Sequence, residues 1–370
     1  VGSEMCIRDR HKCMQFLRNN INEMAYGVLH STVPPTTAPA WTTLATGVNP
    51  GKHSIFDFIK LTKYGIKLMS SLDVKYPRIH EMLSILGLRS LIVNLQLTYP
   101  IRPLKDLMII SDLISREIPY YPEELSIYAK RYPHYGKVMN IITKYKVTDV
   151  KKRANIVIKI YNTDIERRVR VLSELVRKQD WNLFWVTITE PDSLLHFAYD
   201  YVISGNQTVL RIFDIIDRFI KECLSIADII ILISDHGFRS YEFSVNVNRI
   251  LYEMGLIRAH VKGCHNVELL RFKKLNLLPE HSKHLLSNSI LFELIRRVMP
   301  YIRMPISLVK FIENIHFTNL YALVPGVDIQ SSKAFMPTHS GMGIYTKDEY
   351  TTQEVINLLS SFRGIAWVKR

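Results

Sequence analysis

The sequence predicts an α/β protein, a mostly parallel β-sheet with helices on both faces, plus a helical insertion. Three observations carry this reading. Apolar runs of strand length, Leu88–Leu97, Asn182–Thr189 and Asp228–Ser234, alternate with helix-like stretches, the rhythm of strand–helix–strand units. The first run, LRSLIVNLQL, is nearly continuous in its apolar character, as in strands buried on both faces. The other two end against Asp, Glu and His, and in such sheets ligands bind beyond the carboxyl ends of the strands.

Taken in order, Val1–Arg10 (VGSEMCIRDR) reads as translated sequencing-adaptor sequence and lacks the apolar centre of a signal peptide. It has no place in the expected fold, and the native chain is expected to begin near His11, inside a helix over Cys13–Met24. Ser31–Phe58 is a loop feeding a short helix. Pro34 and Pro35 hold the backbone extended, and Pro39 suits a first helical turn. The helix Ala38–Thr46 stops at Gly47, and Asn49-Pro50-Gly51 is a turn. Pro77–Leu86 reads as an amphipathic helix and Asp106–Ser111 as a short strand; Ile118–Lys159 reads as an irregular lid or peripheral layer rich in Tyr and Lys. Helices are expected over Asn162–Lys178, Asp192–Tyr199 and Thr208–Leu224, and Gly364–Arg370 resembles a strand cut short.

Residues 11–257 thus form the expected core, 258–330 a basic helical insertion or cap, and 331–370 a return to the core. From Arg258 to Lys310, ten Lys and Arg meet three Glu, and segments such as Ser289–Val298 look helical. Lys333–Thr346 has strand character. The net charge of +14 is compatible with nucleic acid, a membrane surface or anionic substrates. No zinc-finger spacing or aromatic-interleaved basic stripe accompanies it, so specific nucleic-acid recognition is not expected. No apolar run reaches the roughly 18 residues of a membrane span. The four cysteines form no CxxC pair, which fits a reduced, cytoplasmic setting.

Three stretches carry chemistry. Thr37 lies at a helix N-terminus, where free backbone N–H groups and the positive dipole end favour a phosphate or sulfate; a plain N-cap role for Thr36 or Thr37 fits the same stretch. In Glu190-Pro191-Asp192-Ser193-Leu194-Leu195-His196, Asp192 and His196 stand four apart, one above the other on a helix face. A carboxylate and an imidazole so placed can grip a divalent metal, although a surface Asp–His pair has the same spacing. In Ser234-Asp235-His236-Gly237-Phe238, adjacent Asp and His at a strand end can both reach a metal if Gly237 permits a sharp turn; an ordinary turn is the plainer alternative.

Together, and in this order, the strings PPTTAPAWTTLATGVNPGKHSIFDF, TITEPDSLLHF and ISDHGF, with VNVNRILYEMGLI following, resemble the alkaline phosphatase superfamily. The resemblance is closest to its type I phosphodiesterase/nucleotide pyrophosphatase branch. It covers most of Ser31–Ile257 and returns weakly at Lys333–Tyr345. It implies an alkaline phosphatase-like fold and a metal-dependent phosphohydrolase acting on a small phosphorylated or nucleotide substrate. It also implies two divalent metals, zinc or alternatively Mn or Mg, flanking a nucleophilic hydroxyl. The family's T-x-P pattern falls on Thr37-Ala38-Pro39, which makes Thr37 the implied nucleophile and Thr36 the weaker candidate. Asp192 and His196 would hold one metal, Asp235 and His236 the other. The resemblance further implies a metal-binding Asp upstream of His11 and a third His for the first metal, for which His339 is the best-placed candidate. A phosphate-holding Asn has no clear counterpart near Ile55–Phe58.

Two other functions stay open at this level. A phosphomutase-type phosphoryl transferase would use a similar site, and a non-catalytic relative would bind anions or nucleic acid through Arg258–Lys310. A sulfatase needs Cys or Ser in a C/S-x-P-x-R setting, which Thr37-Ala38-Pro39-Ala40-Trp41 lacks.

Overall fold

An apolar run becomes a buried strand where a neighbouring strand can pair with it, and this protein shows both outcomes. The computed structural model describes residues 11–62, 65–111, 118–136, 138, 141–142, 149–240, 245–258, 327–328, 330–337 and 343–362. The chain divides into two units, residues 1–242 and 243–370. Val1–Arg10, the terminal run 364–370, His339 and almost all of the expected 258–330 insertion, including Ser289–Val298, lie outside the described residues.

In the first unit, α1 (Gln15–Asn20) and α2 (Thr37–Thr46) lead to α3 (Pro50–His53) and the antiparallel pair β1 (Ile59–Thr62) and β2 (Gly65–Leu68). Then come α4 (Ile79–Ile85), β3 (Ser90–Val93), β4 (Leu107–Ile110), β5 (Tyr120–Tyr121) and α5 (Ser126–Ala129). The unit continues with α6 (Val150–Lys178), β6 (Leu183–Val186), α7 (Glu190–Ile203) and α8 (Gln207–Leu224). The central sheet has the order β5-β4-β3-β6. β3 is parallel to both β4 and β6, with Ile92 opposite Ile109 and Trp185, and β5 runs antiparallel at the edge. All four residues of β3 are buried, so the continuous apolar pattern does mark the middle of the sheet.

Helices cover both faces of that sheet. Val171, Leu172 and Leu175 of α6 pack with Leu91, Val93 and Phe219 on one side. On the other, Ala45 of α2 joins Ile92, Leu95 and Ile109, and Trp41 meets the Trp185 ring edge-on at 6.0 Å between centroids. The long α6 buries Val157, Ile158, Tyr161 and Ile165 against Leu194 and Leu195 of α7 and Phe213 of α8. These positions recur three to four residues apart, the stripe an amphipathic helix needs.

Several local expectations change. α6 begins at Val150, inside the stretch expected to be irregular, because Asp149 caps it by accepting from the Lys152 N–H at 2.6 Å. The first helix is shorter than Cys13–Met24. Met14 is left-handed (φ 51°), and the next amides are held from a distance, Phe16 N–H and Leu17 N–H donating to Asp217 of α8 at 2.7 and 3.0 Å. Asp228–Ser234 forms no strand. It runs as coil, with Ile229 79% and Ile231 75% exposed, and among the described residues β6 has β3 as its single neighbour.

In the second unit, α9 (Val247–Glu253) precedes an antiparallel pair, β7 (Ala334–Phe335) and β8 (Tyr345–Thr346), and α10 (Glu349–Ser360) follows. The expected strand character of Lys333–Thr346 is realised in these two short strands. No helix among the described residues is long and apolar enough to cross a membrane.

Candidate active site

Thr37 is the first residue of α2 and Thr36 its N-cap, yet no side chain caps this helix. The plain capping role is therefore not what either hydroxyl performs. Thr37 Oγ1 instead lies 3.1 Å from His236 Nε2. The other ring nitrogen, Nδ1, is 3.1 Å from the Gly237 carbonyl oxygen. A carbonyl oxygen only accepts, so Nδ1 carries a proton, and Nε2 is the ring atom that faces the Thr37 hydroxyl. The loop ahead of α2 is tied to the same place: Ser31 Oγ donates to the Asp235 carbonyl oxygen at 2.6 Å.

Asp235 Oδ2 lies 3.3 Å from His236 Nε2, and both side chains are mostly buried. Asp235 Oδ2 has no hydrogen-bond donor among the described residues. Burial pushes the Asp235 carboxyl up to about 6; His236 pulls it down, and the nearby Asp192 carboxylate adds to the rise. A carboxylate oxygen, an imidazole nitrogen and a hydroxyl oxygen thus converge where positive charge would relieve all three.

Asp192 and His196 project from the first turns of α7, their Oδ1 and Nε2 atoms 3.6 Å apart. The helical spacing brings them onto one face, as the sequence implies. Asp192 Oδ1 is a second buried carboxylate oxygen without a donor among the described residues. The His196 ring meets Phe238 edge-on at 4.8 Å, and Tyr199 lies 6.2 Å from the same Phe238 ring. Phe238 therefore packs the Asp235–His236 turn against the helix bearing the other pair.

All five sequence-nominated residues, Thr37, Asp192, His196, Asp235 and His236, lie in the first unit. The two Asp–His pairs have the residue chemistry for divalent cations. Among the described residues, no group of three or more His, Cys, Asp and Glu side chains is gathered as a metal site.

Sequence reasoning misses the support behind α7. Glu190, 0% exposed, pairs with the equally buried Arg168 of α6, whose Nε donates to Glu190 Oε1 at 2.7 Å. It gives no role to Tyr135 or Phe238 either. Glu190 stands two residues before Asp192, so its position is a signal, but its partners are far away in sequence.

A model of the family described as type I phosphodiesterase / nucleotide pyrophosphatase matches residues 6–290. No curated protein sequence matches the chain. That family consists of hydrolase-type proteins acting on phosphodiester or pyrophosphate bonds and is generally dependent on divalent metals. With most of its length matched and a mixed α/β architecture around a mostly parallel sheet, the chain belongs to the type I phosphodiesterase/nucleotide pyrophosphatase family of the alkaline phosphatase superfamily.

Proposed function

We propose that this chain is a phosphohydrolase that cleaves a phosphodiester or pyrophosphate bond in a small phosphorylated or nucleotide substrate, with Thr37 as nucleophile. Asp192 with His196, and Asp235 with His236, would hold two divalent cations, zinc or alternatively manganese or magnesium. The observation that carries this reading is the 3.1 Å approach of Thr37 Oγ1 to Nε2 of His236.

A threonine hydroxyl attacks poorly at neutral pH unless its proton is drawn away. The 3.1 Å contact with His236 Nε2 places the Thr37 oxygen beside the cation that Asp235 and His236 would hold. The substrate phosphoryl group would lie at the α2 N-terminus, where the Thr37 and Ala38 amides precede the first intrahelical donors and the dipole favours an anion. Divalent cations, when bound, would stabilise charge on the attacking and leaving oxygens. Attack by Thr37 Oγ on phosphorus expels the leaving alcohol or phosphate, which takes up a proton as the hydroxyl loses one, and leaves a threonine phosphoester that still carries the substrate's other substituent. Water then cleaves the bond between the threonine oxygen and phosphorus, returning the hydroxyl and releasing the phosphate monoester.

The decisive test is Thr37→Ala, assayed on bis(p-nitrophenyl) phosphate with zinc or manganese. Turnover should fall by at least roughly 10³-fold, as for loss of a covalent nucleophile, while bound metal measured by elemental analysis stays unchanged. Turnover retained in the variant would remove Thr37 from the mechanism. No turnover by the unmodified chain with either metal would count against the hydrolase reading itself.

A further inference from the structure

We propose that the buried Arg168–Glu190 pair, clasped by Tyr135, is a positioning device. It would set the direction in which α7 presents Asp192 and His196 towards Asp235, and it rests on the proposed function of those residues.

The network surrounds the first residues of α7. Arg168 Nε donates to Glu190 Oε1 at 2.7 Å, and Nη2 donates to the Pro133 carbonyl at 2.9 Å. The guanidinium lies 3.6 Å from the Tyr135 ring centroid and 4.4 Å from that of Tyr132. Burial pushes the Tyr135 phenol well above its ordinary range, so it keeps its proton and donates to Glu190 Oε2 at 3.1 Å. The phenol oxygen in turn accepts the Thr189 N–H at 3.2 Å. Thr189 is the N-cap of α7 and Glu190 its first residue. Side chains from α6 and from the segment 132–135 therefore hold both residues that begin the helix.

That arrangement is costly as mere packing. A buried ion pair is often no more stable than apolar residues of the same volume, whereas rotating the first turn of α7 would redirect Asp192 one turn before His196. Groups that orient ligand-bearing side chains act this way, and removing them typically weakens metal binding or activity about 10- to 100-fold.

The test uses the full chain carrying Arg168→Met and Glu190→Met together, which removes both charges without stranding either. Histidine side-chain NMR should show displaced His196 ring signals while the thermal transition stays cooperative, and manganese affinity should fall about 10- to 100-fold. Tyr135→Phe, which deletes one hydroxyl, should shift the same signals to a lesser degree and serves if the double variant does not fold. His196 signals like those of the unmodified chain in a folded variant would overturn the positioning role. If the unmodified chain binds no manganese, the metal reading of Asp192 and His196 falls separately, and the ring signals still decide the positioning question.

Discussion

The two halves of the site are supported in opposite ways. Asp192 and His196 stand on α7, whose Leu194 and Leu195 are buried in the helical core and whose first residue joins a fully buried ion pair. Asp235 and His236 come after a coil in which Ile229, Ile231 and Ile233 face solvent. The first half is held by core packing and a buried ion pair. The second is held by the Ser31–Asp235 bond, the Thr37–His236 contact and the packing of Phe238. The difference shows that an apolar run becomes a strand only when another strand accepts its backbone groups.

The largest expected effect breaks the clamped half. Arg168→Met alone leaves the Glu190 carboxylate buried without its counter-charge and should cost about 3–5 kcal/mol, as for loss of one partner of a buried pair. Urea denaturation measures this, and a loss below about 1 kcal/mol would show that the ion pair does not anchor the scaffold.

Acid sharpens the contrast by acting on the buried scaffold. Burial lowers His53 and His80 to about 4 from an ordinary 6.5; beside His80, Arg78 adds to the fall and Glu81 opposes it. His53 is fixed as a neutral ring, Nδ1 accepting the Ile55 N–H at 3.1 Å and Nε2 facing Thr43 Oγ1 at 2.9 Å. Between pH 6.5 and 4 the unfolded chain binds protons that the folded chain refuses, so stability falls as pH falls through that window. Each histidine accounts for on the order of 3 kcal/mol. Urea midpoints across the window measure the slope, and His53→Gln should make it shallower; an unchanged slope would mean that His53 protonates freely in the folded state.

The smallest expected effect concerns the coil. Ile231→Lys places a charge where Ile231 is already exposed and should change stability by within about 0.5 kcal/mol, the usual range for surface sites. A loss of roughly 3 kcal/mol or more would instead be the signature of a buried strand position and would erase the contrast between the two halves.

Much of the fold is legible from local pattern. Continuous apolar character marks β3, three-to-four spacing marks α7 and α8, and Gly47 marks the end of α2. The overturned details each depend on something distant. α1 takes Asp217 of α8 as its cap, and Asp228–Ser234 has strand composition but no paired neighbour among the described residues. The long α6 starts earlier than its pattern suggests because Asp149 caps it, while its basic first turns hide the apolar stripe.

The sequence by itself determined which residue types could do chemistry here, and in what order: a hydroxyl at a helix start, Asp and His one turn apart, then Asp-His-Gly. Spacing along one helix or one turn is local geometry, so it is written in the chain. Only the tertiary structure decided that Thr37 Oγ1 faces His236, 199 residues away, and that Arg168 and Tyr135 grip the start of α7. Those contacts depend on how the sheet and its helices stack, because side chains far apart in sequence meet only after burial has offset the entropy of closing the chain between them.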